Sequence, residues 1–393
     1  MALRRGEMKG RVFLRSTWAV GEMLLSGRPR SGADEGWLIL PRLDGIGDFW
    51  LWLPFASALQ KAFPERKVHL IANALWAELA EFTGLFERIT PLYPRKLLRS
   101  PAYRQKVWTA LQEAPSGILL NTTPRRRIAV EDSLAWFYPA PQRQTTSGHA
   151  DALEPRLLRQ QLDTRLYTQI WPSPNKDLHE WQLYAGILHT LQVQGLDFDI
   201  YARLRERDWP RVNLSFPDYI AILPGASVSY KMAPFTLFVK LLRQVVKELG
   251  IPLVFLGGVN EVPYARQLRE GLSLKESRDL TGQISLRESI AVLRGAMGVI
   301  GVDTGLTHIA ATWDRPTLVL MGGGHWGRFF PYPASFPYQP FILHRPMPCY
   351  GCGWFCRYTL SRDKPYPCMA TLAQASMDPF YQWLEAISVR KTE

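Results

Sequence analysis

Asp303, Thr304, Gly305 and His308 mark one abrupt change of pattern in the chain. Val299, Ile300, Gly301 and Val302 are apolar or small and read as the end of a buried parallel strand, whereas Leu306, Ile309 and Ala310 recur at helical spacing. A strand that turns into a helix through a glycine suits an anionic ligand. Gly305 lets the backbone approach the ligand, the new helix aims unpaired N–H groups and a partial positive charge at it, and Asp303, Thr304 and His308 can add polar contacts. The same residues would also fit a plain helix cap with an interior histidine beside it. A matching turn upstream favours binding: Tyr219 to Leu223 reads as a strand running into Pro224, Gly225, Ala226 and Ser227, with Lys231 four residues on.

A third turn lies near the amino terminus. Trp37 to Leu40 reads as a short buried strand leading into Arg42-Leu43-Asp44-Gly45-Ile46-Gly47-Asp48, and a helix follows to about Phe63, ended by Pro64. Strand, glycine loop and helix make a Rossmann-type start. The spacing is not G-x-G-x-x-G, because Asp48 and the bulky Phe49, Trp50 and Trp52 follow the two glycines. A pyrophosphate would meet a carboxylate there instead of bare N–H groups, which excludes a nicotinamide enzyme. Asp48 at the front of the helix can act as a general base or as a cap.

Cys349, Cys352, Cys356 and Cys368 are the chain's four cysteines, spaced C-x2-C-x3-C-x11-C with Gly351 and Gly353 between them. Four thiolates at short spacing suit tetrahedral Zn or Fe, and such a site would be structural because no coordination position stays open. Reduced unligated thiols or disulfides are the alternatives.

These residues need a scaffold of alternating strands and helices. Val68 to Ala72 and Gly117 to Asn121 read as further strands of the first half, with helices over 74–82 and 180–193. After a polar stretch with Pro210 and Pro217 the alternation restarts. Strands are expected at 219–223, 252–256, 278–280, 298–302 and 317–321, and helices at 234–249, 261–272, 286–296 and 306–313. The pattern is α/β with parallel sheets covered on both faces. The 393 residues exceed what one core usually serves, so two domains are expected. Residues 139–180, rich in Pro, Gln and Arg, read as a long loop.

The composition, 47% hydrophobic and 21% charged, is that of a folded soluble chain. The apolar run Val12 to Leu25 is broken by Arg15 and Glu22, which a signal peptide or spanning helix tolerates poorly, so a cytosolic location is expected. That run can form an amphipathic helix lying at a membrane interface, or one packed on its own domain. Of the net charge of +12, residues 88–130 contribute +8 through nine Lys and Arg against Glu113. No nucleic-acid-binding motif accompanies this excess, and an anionic lipid surface or a phosphorylated glycolipid acceptor fits it better. A solvated face would account for it equally.

The order and spacing of four segments resemble the C-terminal half of the bacterial heptosyltransferase family of glycosyltransferases. They are Leu223-Pro224-Gly225-Ala226-Ser227 with Lys231, Phe255-Leu256-Gly257-Gly258 with Glu261, Asp279-Leu280-Thr281-Gly282 with Ser285-Leu286, and Val302 to His308. Arg42 to Asp48 is similar to that family's opening motif. The resemblance implies a GT-B fold, two Rossmann-like domains facing across a cleft. It divides the chain into an N-terminal helical extension (1–30), an acceptor domain (31–205), a linker (206–217), a nucleotide-sugar domain with the four-cysteine loop (218–375), and a last helix (376–393) packing back on the N-terminal domain. It further implies inverting, metal-independent transfer of a heptose from ADP-heptose to a hydroxyl of lipopolysaccharide core or a related glycan. Asp48 would be the base and Lys231 would meet the diphosphate. Glu261 would take the ribose hydroxyls and Asp303 the sugar, while Gly47, Gly225, Ser227, Ile284, Thr304, Gly305 and His308 would also line the donor site. The four-cysteine form resembles that of the autotransporter heptosyltransferases, in which the loop holds iron, and raises transfer to a protein as the rival acceptor chemistry. Two departures stand out: Met232-Ala233 follows Lys231 where the family often has Trp-Pro, and the N-terminal extension and 139–180 have no counterpart in the resemblance.

Overall fold

The computed structural model describes residues 5–27, 31–147, 154, 156–172, 178–226, 228–272, 277–358 and 364–392. The chain divides into two compact units, one ending at Ile200 and the other beginning at Tyr201.

The first unit contains α1 (Arg5–Ser26), β1 (Trp37–Arg42), α2 (Ile46–Ala62), β2 (Lys67–Asn73), α3 (Ala77–Thr83), β3 (Arg88–Leu92), α4 (Pro94–Leu97), α5 (Pro101–Gln112), β4 (Gly117–Asn121), α6 (Ser133–Phe137), β5 (Gln142–Thr146), α7 (Arg156–Leu166), β6 (Gln169–Trp171), α8 (Glu180–Thr190) and the start of α9 (Asp199–Arg205). Its strands form one parallel sheet in the order β3-β2-β1-β4-β5-β6. The central strands are continuous apolar runs because both faces are covered: Leu38, Ile39, Leu40, Val68, Leu70 and Ile71 are buried. Helix α2 is buried along Phe49 to Leu59, so it is apolar on every side and shows no stripe. On α1, Ala19 and Met23 enter the unit's core while Phe13, Leu14, Leu24 and Leu25 stay exposed.

The second unit contains β7 (Ile220–Leu223), α10 (Phe235–Leu249), β8 (Leu253–Phe255), α11 (Val262–Leu272), β9 (Ser277–Asp279), α12 (Leu286–Gly295), β10 (Gly298–Val302), α13 (Gly305–Thr312), β11 (Thr317–Leu320), β12 (Phe341–Leu343), α14 (Pro367–Ala370) and α15 (Asp378–Thr392). Its parallel sheet runs β12-β11-β10-β7-β8-β9. Counted from each unit's own first strand, both sheets have the same order, that of a Rossmann fold, whose direction of winding reverses beside the first strand.

Two expectations are modified. Residues 139–180 are not one loop: they contain β5, α7 and β6. Strand β5 escaped notice because its buried side chains are polar; Arg143 is buried and donates to the carbonyls of Ala135 (2.7 Å) and Tyr138 (2.6 Å). The division at Ile200 falls ahead of 206–217, and within that stretch Val212, Leu214 and Phe216 pack on the second unit's core. The last helix builds Phe380, Trp383, Leu384 and Ile387 into the core of the second unit. Trp383 Nε1 donates to the Pro316 carbonyl at 2.8 Å, and Ile387 reaches so close to Gly298 that a Cβ there would lie 2.2 Å from its Cδ1.

Candidate functional site

In the second unit the winding reverses between β7 and β10, which pair in register with Leu223 beside Gly301. Both glycine turns singled out in the sequence leave from these neighbouring strand ends, where open α/β sheets bind ligands. Gly225 has a steric reason: a Cβ there would lie 1.9 Å from Glu261 Cγ. Glu261 is therefore drawn against the turn after β7, and its carboxylate accepts the Gly258 N–H. Burial raises its pKa above the usual range, opposed by that hydrogen bond. Thr304 is the extended residue ahead of α13 and makes no side-chain cap, so it is not explained as a helix cap. Gly305 opens the helix. Ile284 is half-buried against the core cluster containing Leu280, and Ser227 lies outside the described residues.

Asp303 is the centre of a buried cluster. His308 Nε2 lies 3.6 Å from its Oδ1 and His325 Nδ1 lies 3.7 Å from its Oδ2, while Lys231 Nζ stands 3.5 Å from the same His325 nitrogen. Burial alone would raise the Asp303 pKa, but His308, His325 and the Lys231 charge outweigh it and hold the carboxylate ionised far below its usual range. Asp303 Oδ2 is buried with no hydrogen-bond partner among the described residues. Burial pushes His325 down to about 4, with the Lys231 charge acting in the same direction, so the ring is neutral at pH 7. His308 is an interior histidine: it stacks on Phe330 at 4.1 Å and its Nδ1 meets the Tyr332 hydroxyl at 2.8 Å. Its place is to back Asp303. A lysine, an ionised aspartate with a spare oxygen and the open end of a helix can together hold an anion and a hydroxyl-bearing group.

His325 was not anticipated. Its signal is Gly322-Gly323-Gly324-His325 directly after strand β11, the same strand-then-glycine pattern as the other turns.

In the first unit Arg42 is fully buried at the end of β1. It pairs with Asp44 at 2.6 Å, donates to the Tyr184 hydroxyl (3.1 Å) and to the Asp48 carbonyl (3.3 Å), and lies over the Trp52 ring at 5.2 Å. Gly45 precedes α2, Gly47 lies in its first turn, and Asp48 Oδ2 accepts the Gly45 N–H at 3.3 Å. Asp48 thus does cap the helix, and its backbone is pinned by Arg42. Burial, with Asp48 and Glu180 nearby, pushes Asp44 up to about 7 against the pull of Arg42. This Arg42–Asp44 pair is a part of the motif that spacing alone did not reveal.

The basic stretch 88–130 is less of a surface than its count implies. Arg104 is buried and paired with Glu22 of α1, Arg126 with Asp132 (3.3 Å) and Asp163 (2.7 Å), and Arg127 with Glu131 (2.6 Å). Arg88, Arg95, Lys96, Arg99, Lys106 and Arg125 are exposed.

The four cysteines line one small apolar cavity with Gly323, Met347 and Trp354. Burial raises the thiols of Cys352 and Cys368, and the other cysteines push in the same direction, so the sulfurs sense one another. The donor set fits a thiophilic ion. Among the described residues, however, no group of three or more His, Cys, Asp or Glu side chains is arranged to hold a metal as placed.

With this geometry in hand, residues 191–341 match the model of glycosyltransferase family 9 (heptosyltransferase), a span that includes Lys231, Glu261, Asp303 and His325. The chain carries a glycosyltransferase family 9 domain. It is a heptosyltransferase-like glycosyltransferase. It is similar to lipopolysaccharide heptosyltransferase 1 of Pseudomonas aeruginosa, 23% identical over 330 residues that cover 80% of this chain and 85% of that one. The fold is shared with Escherichia coli heptosyltransferase WaaC, solved with ADP-2-deoxy-2-fluoro heptose, at TM-score 0.59 and 19% identity over 80% of this chain and 96% of that one. It is also shared with TibC of enterotoxigenic E. coli, a dodecameric iron-containing heptosyltransferase solved with ADP-D-beta-D-heptose, at TM-score 0.50 and 15% identity over 92% and 76%. These likenesses fix the α/β, GT-B-type fold class.

Proposed function

We propose that this glycosyltransferase moves a heptose from ADP-heptose to a hydroxyl of lipopolysaccharide core or a related cell-surface glycan, with inversion. The observation that carries the reading is the Lys231–Asp303–His325 cluster at the reversal point of the second sheet, inside the stretch matched by the family model. The Gly225 turn, Lys231 and the amino end of α13 meet the diphosphate, so the leaving group's charge is balanced by protein without a catalytic metal. Glu261, folded against Gly225, takes the ribose hydroxyls, and the Asp303 carboxylate takes a sugar hydroxyl. Gly47, Ile284, Thr304 and Gly305 shape the donor's surroundings, with Ser227 assigned there from the sequence. Asp48 removes the acceptor proton as the hydroxyl attacks the anomeric carbon. The experiment is calorimetric titration with ADP-heptose: Lys231→Ala and Asp303→Ala should each weaken binding by ~1.5–3 kcal/mol with the fold intact. Unchanged affinity in both would remove the donor site from this unit.

A second reading, transfer to an autotransporter-type protein, is favoured by the four cysteines around one cavity together with the fold shared with an iron-containing heptosyltransferase. Mass spectrometry of glycans and surface proteins from a deletion strain separates the two, since the acceptor that loses heptose is the substrate. Under either reading Cys349, Cys352, Cys356 and Cys368 hold one Fe or Zn, which acts as a cross-link and takes no part in transfer. Among the described residues no helix is long and apolar enough to cross a membrane. The exposed apolar side of α1 and the exposed basic residues beyond it support a cytoplasmic enzyme resting on the inner face of the plasma membrane, with no nucleic-acid partner.

A further inference from the structure

The four-cysteine loop reaches Lys231 and His325 with the ring of Trp354, which lies between Cys352 and Cys356 in the chain. Lys231 Nζ sits over the Trp354 ring, 5.1 Å from its centroid, and the His325 ring meets it edge-on at 5.9 Å. Tyr230 flanks the indole at 5.6 Å and is itself stacked on Tyr366 at 4.5 Å. The loop is tied to the glycine run that carries His325: Gly351 N–H donates to the Gly323 carbonyl at 2.8 Å and Gly353 N–H to the Gly324 carbonyl at 2.7 Å. A Cβ on Gly324 would lie 2.2 Å from Trp354 Cδ2, so that glycine is cleared for the indole.

Two costs attend this placement. Trp354 has φ of 64°, in the left-handed region that a bulky residue rarely occupies. Its Nε1 is buried with no hydrogen-bond partner among the described residues. The loop holds a strained residue whose polar edge is unused, which leaves the ring's face as the part the site draws on.

We infer that Trp354 is a positioning residue for the donor's diphosphate: the four-cysteine loop holds the indole face against the Lys231 ammonium and fixes where that charge stands. An aromatic face suits the task because it attracts a cation without neutralising it. A carboxylate in the same place would cancel the charge that the diphosphate needs. This inference rests on Lys231 belonging to the donor site, as proposed above.

The test is calorimetric titration of ADP into the full-length protein and its Trp354→Phe and Trp354→Leu variants, each in the Lys231 and the Lys231→Ala background. In the Lys231 background Trp354→Leu should weaken ADP roughly 2- to 30-fold, the range of a cation on an aromatic face, and Trp354→Phe should recover most of that loss. In the Lys231→Ala background neither substitution should weaken binding further. Equal losses in both backgrounds would overturn the inference, since the ring would then be serving the fold at large. Wild-type affinity for Trp354→Leu while Lys231→Ala is weakened would overturn it alone, whereas wild-type affinity for Lys231→Ala would take Lys231 out of the donor site and overturn this inference with it. Should Trp354→Leu not fold, Trp354→Met carries the test in its place: a loss that persists unchanged without Lys231 sinks the idea, and one that vanishes without Lys231 supports it.

Discussion

Asp48 caps α2 and is proposed as the general base, two roles that a single substitution can separate. Its Oδ2 accepts the Gly45 N–H at 3.3 Å, a capping bond that an asparagine oxygen can also make, but only a carboxylate can take the acceptor's proton. For Asp48→Asn we expect kcat to fall roughly 10²- to 10⁴-fold with donor affinity and melting temperature nearly unchanged. Turnover within a few-fold of wild type would leave Asp48 a cap. A second prediction concerns His69, buried in β2 with its ring nitrogens at 2.9 Å from the Tyr138 hydroxyl and 2.8 Å from Thr90 Oγ1. Burial, and less so Arg88, lower its pKa from 6.5 to about 4. The unfolded chain then binds a proton that the folded chain refuses, so the stability conferred by neutral His69 is present above pH 6.5 and is lost as pH falls towards 4. A shift of that size corresponds to at most about 3 kcal/mol. The melting-temperature advantage of wild type over His69→Gln should therefore shrink on acidification through that window; an advantage that is constant or grows would contradict the assignment.

At the scale of elements, what the sequence made legible were segments whose apolar residues decide their state. Strands β1, β2, β4, β7, β8, β10 and β11 and helices α2, α10, α11, α12 and α13 all fall on apolar runs or stripes, most of them bounded by Gly or Pro. Strand β5 and helix α7 were hidden because specific polar partners hold them. Arg159 of α7 bonds Asp132 at 2.8 Å and the Arg126 carbonyl at 2.7 Å, and no periodicity records such a pairing. The two turns of the second unit were visible from Gly225 and Gly305, and the turn of the first unit from the Gly45–Asp48 run. His325, Trp354 and the Arg42–Asp44 pair were not, because each acquires its meaning from a neighbour distant in sequence. The turn after β7 offers a test at this scale. Gly225→Ala places a Cβ 1.9 Å from Glu261 Cγ, too close for the side-chain tip to absorb, so the turn or the start of α11 must shift. Overpacking of this kind costs about 1–3 kcal/mol, and we expect a lower melting temperature together with weaker ADP binding. Loss of neither would mean that Glu261 is not fixed by this glycine.

For the whole molecule, the charge excess divides into structural and exposed parts. Arg104, Arg126 and Arg127 hold the first unit together through Glu22, Asp163 and Glu131, whereas Arg95, Lys96 and Arg99 are exposed. If the protein rests on an anionic membrane, Lys96→Ser with Arg99→Ser should weaken binding to phosphatidylserine vesicles, by about 1 kcal/mol per basic residue at low salt, and leave the melting temperature unchanged. Arg104→Gln should instead lower the melting temperature, since it strands Glu22. Vesicle binding indifferent to both exposed residues would return them to the role of a solvated face. Metal content belongs to this scale as well. Elemental analysis should find about one Fe or Zn per chain, released in Cys352→Ser with a fall in melting temperature, and protein purified without chelators that carries neither would refute the site.

Both sheets wind in the same order, each with a separate core and its own reversal point. One reversal point is furnished by the Arg42–Asp48 loop and the other by the loops after β7 and β10, with no residue in common. Inheritance can act on such a chain in halves. If, as proposed, the first sheet's loops meet the acceptor and the second's the donor, drift in the former can change which hydroxyl is glycosylated while the latter keep the same activated sugar, so descendants of one ancestor can diversify their acceptors without relearning how to hold the donor.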